Sequence, residues 1–178
     1  MSKKYEFTDE TITVNGIILH RIKAVIDFDR FGVKAGDLGG FIEVEANLSH
    51  DGDAWVYGDA LVSGNTLVSG NAKVSGDAWV SGNAKVSGAA WVYGNAQVSG
   101  NAKIKRSNDY ACVNGFGSVY KNTTFFRCAD DLIRAQCGGF YGTIDEFRAK
   151  VKEAHGDSKY AKEYLMIADL MEYHFAED

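Results

Sequence analysis

The chain has 178 residues, a formal net charge of -5 and 46% hydrophobic residues, which suits one or two small folded domains and argues against disorder. No apolar run approaches the ~20 residues of a membrane span, and the start Met1-Ser2-Lys3-Lys4-Tyr5-Glu6 lacks the apolar stretch of a secretory signal. Cys112, Cys128 and Cys137 are odd in number and lack metal-type spacing, so free thiols in a reducing, cytoplasmic compartment are expected.

Residues 5–28 read as two strands around Asn15-Gly16, a strong hairpin turn signal. The flanks Thr11-Ile12-Thr13-Val14 and Ile17-Ile18-Leu19-His20 both favour strands. A glycine-rich stretch, Gly32 to Gly40, leads into Ile42 and Leu48, which already carry a six-residue spacing. Two extra residues before Val56 predict a small bulged loop at Ser49–Asp51.

From Asp53 to Arg106 run nine consecutive hexads of the form x-Ala-x-Val-x-Gly, with valine at 56, 62, 68, 74, 80, 86, 92 and 98 and Ile104 closing the series. The small residue two places earlier is alanine except at Thr66. A helix cannot use this pattern, because six residues rotate each valine by about 240°. In a strand, residues two apart share a face, so Ala and Val point inward and the residues flanking Val point out. Gly-Asn and Gly-Asp supply the corners, since both residue types tolerate positive φ. The pattern predicts a solenoid of about three full coils capped by the N-terminal hairpin, because an open end would expose apolar side chains and unpaired backbone.

After Arg106 the hexads stop. Val119-Tyr120, Thr123–Arg127 and Ile133–Gln136 read as short strands, and Thr143 with Glu146 forms a capping box. Ile144, Phe147, Val151 and Ala154 make one helical stripe ending at Gly156. A second helix begins near Asp157 or Ser158 and carries Ala161, Tyr164, Leu165, Ala168, Met171 and Phe175. The expected division is a hairpin cap over 1–40, a repeat region over 41–106 and a small α+β unit over 107–178. Residues 53–106 hold five basic and three acidic side chains, whereas residues 143–178 hold five basic and nine acidic. The solenoid is therefore neither a polyanion nor a basic stripe, and no nucleic acid partner is expected.

The hexads resemble the hexapeptide repeats of left-handed parallel β-helices, which have three hexads per coil. Handedness is implied by that resemblance and not by the spacing. Val33 to Ile42, followed by Asn47-Leu48-Ser49 and the Ala-x-Val-x-Gly repeats, is similar to YdcK-like repeats and to β-helix proteins of phage and prophage. The segment Cys137-Gly138-Gly139-Phe140-Tyr141-Gly142-Thr143-Ile144-Asp145-Glu146-Phe147, with His155-Gly156-Asp157, resembles a small domain recurring in phage proteins. The resemblance implies a mainly β protein that works by binding or scaffolding in a bacterial host cell, as a homo-oligomer, with trimers common for the fold. A host protein or a small ligand is the implied partner, counter-defence a role compatible with the lineage.

Three hexads per coil sort the outward residues into three faces. One carries Trp55 and Tyr57, then Lys73, then Trp91 and Tyr93, which predicts Lys73 between two tryptophans at cation–π range. Such an apolar patch is rarely left bare on a soluble monomer, so these five residues are the expected contact face. The serines that end the hexads read as small, strand-tolerant surface residues. Arg127 and His155 are further binding candidates in the C-terminal unit, against the plainer reading of a surface charge and a helix-end histidine. The resemblance to hexapeptide acyltransferases also raises an enzymatic alternative with a histidine base. The histidine near the coils is His50, on a short loop; no long loop walls a pocket, so a non-enzymatic protein with no cofactor or metal is expected.

Overall fold

The computed structural model describes residues 3–28 and 32–176. A hairpin of β1 (Tyr5–Val14) and β2 (Ile17–Ala24) turns at Asn15-Gly16, both at positive φ. β2 pairs antiparallel with β3 (Leu38–Ile42), and β3 then starts the solenoid. Two-residue rungs follow at β4 (Trp55–Val56), β5 (Leu61–Val62), β6 (Leu67–Val68), β7 (Lys73–Val74), β8 (Trp79–Val80), β9 (Lys85–Val86), β10 (Trp91–Val92), β11 (Gln97–Val98) and β12 (Lys103–Ile104). They stack in parallel as β3-β5-β8-β11, β4-β7-β10 and β6-β9-β12, and Leu48 bridges Val68 to extend the third column. The chain is mainly β, with a solenoid of about 4 turns. This exceeds the three expected from the hexads, because Phe41-Ile42 and Leu48 supply rungs ahead of the bulged loop.

Every inward Val and Ala from Ala54 to Val98 is fully buried. Glycine closes every hexad but the last, for two reasons that Gly82 illustrates. Its φ is 72°, and an added Cβ would lie 2.7 Å from the Gly100 nitrogen one coil on.

The C-terminal unit is an antiparallel sheet of β13 (Tyr110–Val113), β14 (Thr123–Arg127), β15 (Ile133–Cys137) and β16 (Phe140–Thr143), with α1 (Ile144–His155) and α2 (Lys159–Phe175). Strand alternation on β14 sends Phe126 into the solenoid's core and Phe125 under the helices. The Thr143 hydroxyl accepts from the Glu146 N–H at 3.3 Å and the Glu146 carboxylate accepts from the Thr143 N–H at 2.7 Å, as the capping box predicts. Val119-Tyr120 is not a strand: both residues are exposed and Tyr120 sits at φ 52°. The expected division at residue 40 falls inside β3, since the hairpin continues a solenoid face in one six-stranded sheet. Ala154, expected in the α1 stripe, is exposed.

Outward residues donate their N–H to inward carbonyls one coil on, as Trp55 does to Ala72 at 3.0 Å and Ser81 to Val98 at 2.9 Å. The first coil's inward carbonyls therefore point off the N-terminal end, and the last coil's outward N–H groups point off the other. Donors meet the carbonyls. The Lys4 ammonium takes Gly52 and Ala54 at 3.2 and 2.8 Å, the Asn47 amide takes Gly64 and Thr66 at 2.9 Å each, and Arg21 reaches Gly58 at 3.2 Å. Acceptors meet the N–H groups. Ser107 Oγ accepts from Trp91 at 3.2 Å, Tyr110 Oη from Tyr93 at 3.1 Å, Thr124 Oγ1 from Gln97 at 3.0 Å, and Asp109 Oδ2 from Lys105 at 2.8 Å.

Lys4 is 1% exposed, and burial lowers its pKa to about 8, against the upward pull of Asp53 and Asp51. Above pH 8 the folded chain releases this proton while the unfolded chain holds it until about 10.5, so this group makes stability rise with pH across that window. Tyr57 and Tyr110, pushed up to about 12 by burial, oppose the rise above pH 10 but do so equally in a Lys4 variant. Lys4→Met leaves two carbonyls without their donor, a loss of about 1–3 kcal/mol once the lysine is neutral. Chemical denaturation at pH 7 and pH 9.5 should give a larger deficit for the variant at the higher pH; parallel curves would remove Lys4 from this role.

Candidate functional site

The column β4-β7-β10 aligns Trp55, Lys73 and Trp91 in register, as the three-face sorting predicts. Trp55 nevertheless leaves the surface. Its ring is 1% exposed, packed edge-on against Phe28 at 5.3 Å and Tyr5 at 6.2 Å. Gly39, whose Cβ would lie 2.8 Å from the indole, gives it room. The N-terminal cap thus covers one end of the expected contact face. Lys73 lies between Tyr57 and Trp91, with its ammonium 5.6 and 5.5 Å from the two ring centroids.

The exposed part of the face lies nearer the C-terminal unit. Trp91 is 47% and Tyr93 54% exposed, their centroids 5.1 Å apart. The Trp91 indole N–H donates to Ser75 Oγ at 2.8 Å, and Tyr93 meets Tyr110 edge-on at 6.3 Å. A hollow of about 180 Å³ adjoins Tyr93, lined by Asn95, Tyr110, Cys112 and Asn114 among others. Trp79 bonds Ser63 at 3.1 Å in the same way that Trp91 bonds Ser75. Two of the hexad serines are thus specific acceptors for an indole one coil on, a role the sequence reading did not give them.

Arg127 is committed to packing. Its guanidinium donates to the Phe175 carbonyl at 2.8 Å, lies 5.6 Å from the Phe175 ring and sits 3.6 Å from Asp109. It ties the end of α2 to the turn at Ser107–Asp109. His155 instead lines a separate cleft in the C-terminal unit and stacks on Tyr164 at 5.8 Å.

His50, the base considered for acyl transfer, is engaged at both ring nitrogens. Nδ1 accepts from the Lys4 N–H at 3.1 Å, so Nε2 carries the proton toward the Glu45 carboxylate at 2.9 Å. The ring also stacks on Tyr5 at 4.4 Å. Sequence reasoning missed a second apolar surface. Met166, Leu170 and Tyr173 are 71%, 56% and 83% exposed on the outer side of α2. Their four- and three-residue spacing was visible, but it runs beside the stripe assigned to the core.

A family model described as YdcK Beta solenoid repeat matches residues 54–70. The protein is a repeat β-solenoid. The matched segment covers β4, β5 and β6, one rung on each of the three faces. It lies wholly outside the C-terminal unit. No curated protein matches the chain.

Trp55 and Trp91 occupy equivalent register positions with opposite environments, so their truncation should differ sharply. Trp55→Ala should cost about 3–5 kcal/mol, as for a buried aromatic, and Trp91→Ala under about 1 kcal/mol. Urea denaturation of the two variants checks this; comparable losses would contradict the burial of Trp55.

Proposed function

We propose that this chain is a non-enzymatic binding or scaffold protein of phage or prophage type, acting in the host cytoplasm through the Tyr57–Lys73–Trp91–Tyr93 face of its solenoid. The observation that carries the reading is the pair of half-exposed aromatic rings, Trp91 and Tyr93, held on rigid rungs beside a lysine. Tryptophan and tyrosine dominate interface hot spots because they bury much area with few rotamers to freeze. The backbone around them is fixed by cross-coil bonds, so little ordering opposes association. The first partner expected is a second copy of the chain, and a host protein is the other partner this surface would suit. The phage lineage rests on the sequence resemblance alone.

The acyl-transfer alternative needs a base with a free lone pair close to a substrate cleft. His50 has both nitrogens engaged and its ring against Tyr5, which speaks against that role. No helix among the described residues is long and apolar enough to cross a membrane.

Light scattering of the wild type beside Trp91→Ser/Tyr93→Ser tests the face. The wild type should have an oligomeric mass or retain a stoichiometric bacterial protein on affinity capture. The double variant should lose that association with an unchanged melting profile. A monomeric wild type that captures nothing the variant does not also capture would overturn the reading.

A further inference from the structure

A cleft of about 210 Å³ opens in the C-terminal unit, and none of its lining residues belongs to the solenoid. Its apolar wall is Phe140, Phe147 and Val151, and its polar side holds Cys137, His155 and the hydroxyl-bearing Tyr164. The rings are mutually braced. Phe147 lies 5.6 Å from Phe140 and meets Tyr164 edge-on at 5.7 Å, and Tyr164 stacks on His155. The opposite wall is the loop ahead of β14, and it is pinned in place. The Gly117 N–H donates to Glu163 at 2.9 Å, and a Cβ on Gly117 would fall 2.0 Å from the Tyr164 ring. Asn122 further bonds the Asn95 carbonyl of the solenoid. The cleft is therefore preformed.

Its charge is one-sided. Lys121 and Lys150 both line it, His155 adds a ring nitrogen, and no acidic residue is among the lining residues. Glu153 pairs with Lys150 at 2.9 Å from outside the lining set, and Glu163 is held by the loop backbone. An aromatic-walled slot with a cationic rim matches a ligand that is flat and apolar at one end and anionic at the other. The volume lies below the 300–1,000 Å³ typical of drug-sized sites, which limits the occupant to about ten to fifteen non-hydrogen atoms. We infer that this cleft binds a small aromatic carboxylate, with its ring among Phe140, Phe147 and Tyr164 and its carboxylate toward Lys121 and Lys150. This site is separate from the solenoid face, so either can fail without the other.

Titration calorimetry on the full chain, with phenylacetate and phenethylammonium as probes, tests the inference. Phenylacetate should bind with a Kd below about 1 mM, and about tenfold more tightly than its cationic counterpart. Ala154→Trp places an indole in the cleft from an exposed position on α1 and should abolish binding while circular dichroism stays unchanged. Lys121→Gln/Lys150→Gln should erase the preference for the anion but leave the fold intact. Equal affinity for the two probes, no binding of phenylacetate at about 10 mM, or a preference that survives in the lysine double variant would each overturn the assignment.

Discussion

A parallel solenoid satisfies its own backbone only in the middle. Each coil donates N–H groups to the next and receives them from the one before, so the first and last coils have opposite deficits. A deficit of donors at one end and of acceptors at the other cannot be met by the same kind of side chain. The chain meets the first with an ammonium, a guanidinium and an amide from Lys4, Arg21 and Asn47. It meets the second with hydroxyls and a carboxylate from Ser107, Tyr110, Thr124 and Asp109. The matching is also electrostatic, since cationic groups face carbonyl oxygens and the carboxylate faces amide hydrogens. Burying Lys4 has a desolvation cost, visible in its lowered pKa, which the two carbonyls it bonds help to offset.

This constraint decides where the surface is usable. The segments that bring Lys4 and Arg21 to the open coil also bring Tyr5 and Phe28 over Trp55, so the first third of the aromatic column becomes core. At the other end the cap meets the rungs largely through side-chain acceptors. Tyr110 reaches the Tyr93 backbone yet leaves both Trp91 and Tyr93 half exposed. The exposed aromatic pair thus lies at the seam between solenoid and C-terminal unit, and not at the centre of the face.

The hexads made the solenoid legible because a six-residue step commits every side chain to one face and every corner to glycine. The in-register stacking of Trp55, Lys73 and Trp91 followed from that periodicity alone. What covers Trp55 did not, because the docking of residues 5 and 28 depends on contacts distant in sequence. The extra coil was underread because Leu48 pairs across a loop two residues too long to keep the hexad phase. In the C-terminal unit the helices carried capping and stripe signals, while β13 and β16 were too short and too mixed in composition to show alternation. The packing of Arg127 was not legible because nothing local in sequence announces the carbonyl of Phe175 as its partner. The cleft beside His155 needed four segments to converge, and no single stretch encodes it.

The corner asparagines illustrate what the repeat permits. Asn65 bonds Asn83, and Asn83 bonds Asn101, each across one coil of 18 residues. One coil is therefore a self-contained increment whose top fits its own bottom. Adding or removing 18 residues between the caps would change the separation of the two end structures by about 4.8 Å without altering what either cap bonds. Adding 6 would instead turn the C-terminal unit onto the next face, one third of a coil away from its present position relative to the aromatic column. Length along the axis is thus free to drift by whole coils, while the angular relation between the two surfaces is conserved by arithmetic. A lineage built on this scaffold can tune reach and orientation as independent quantities.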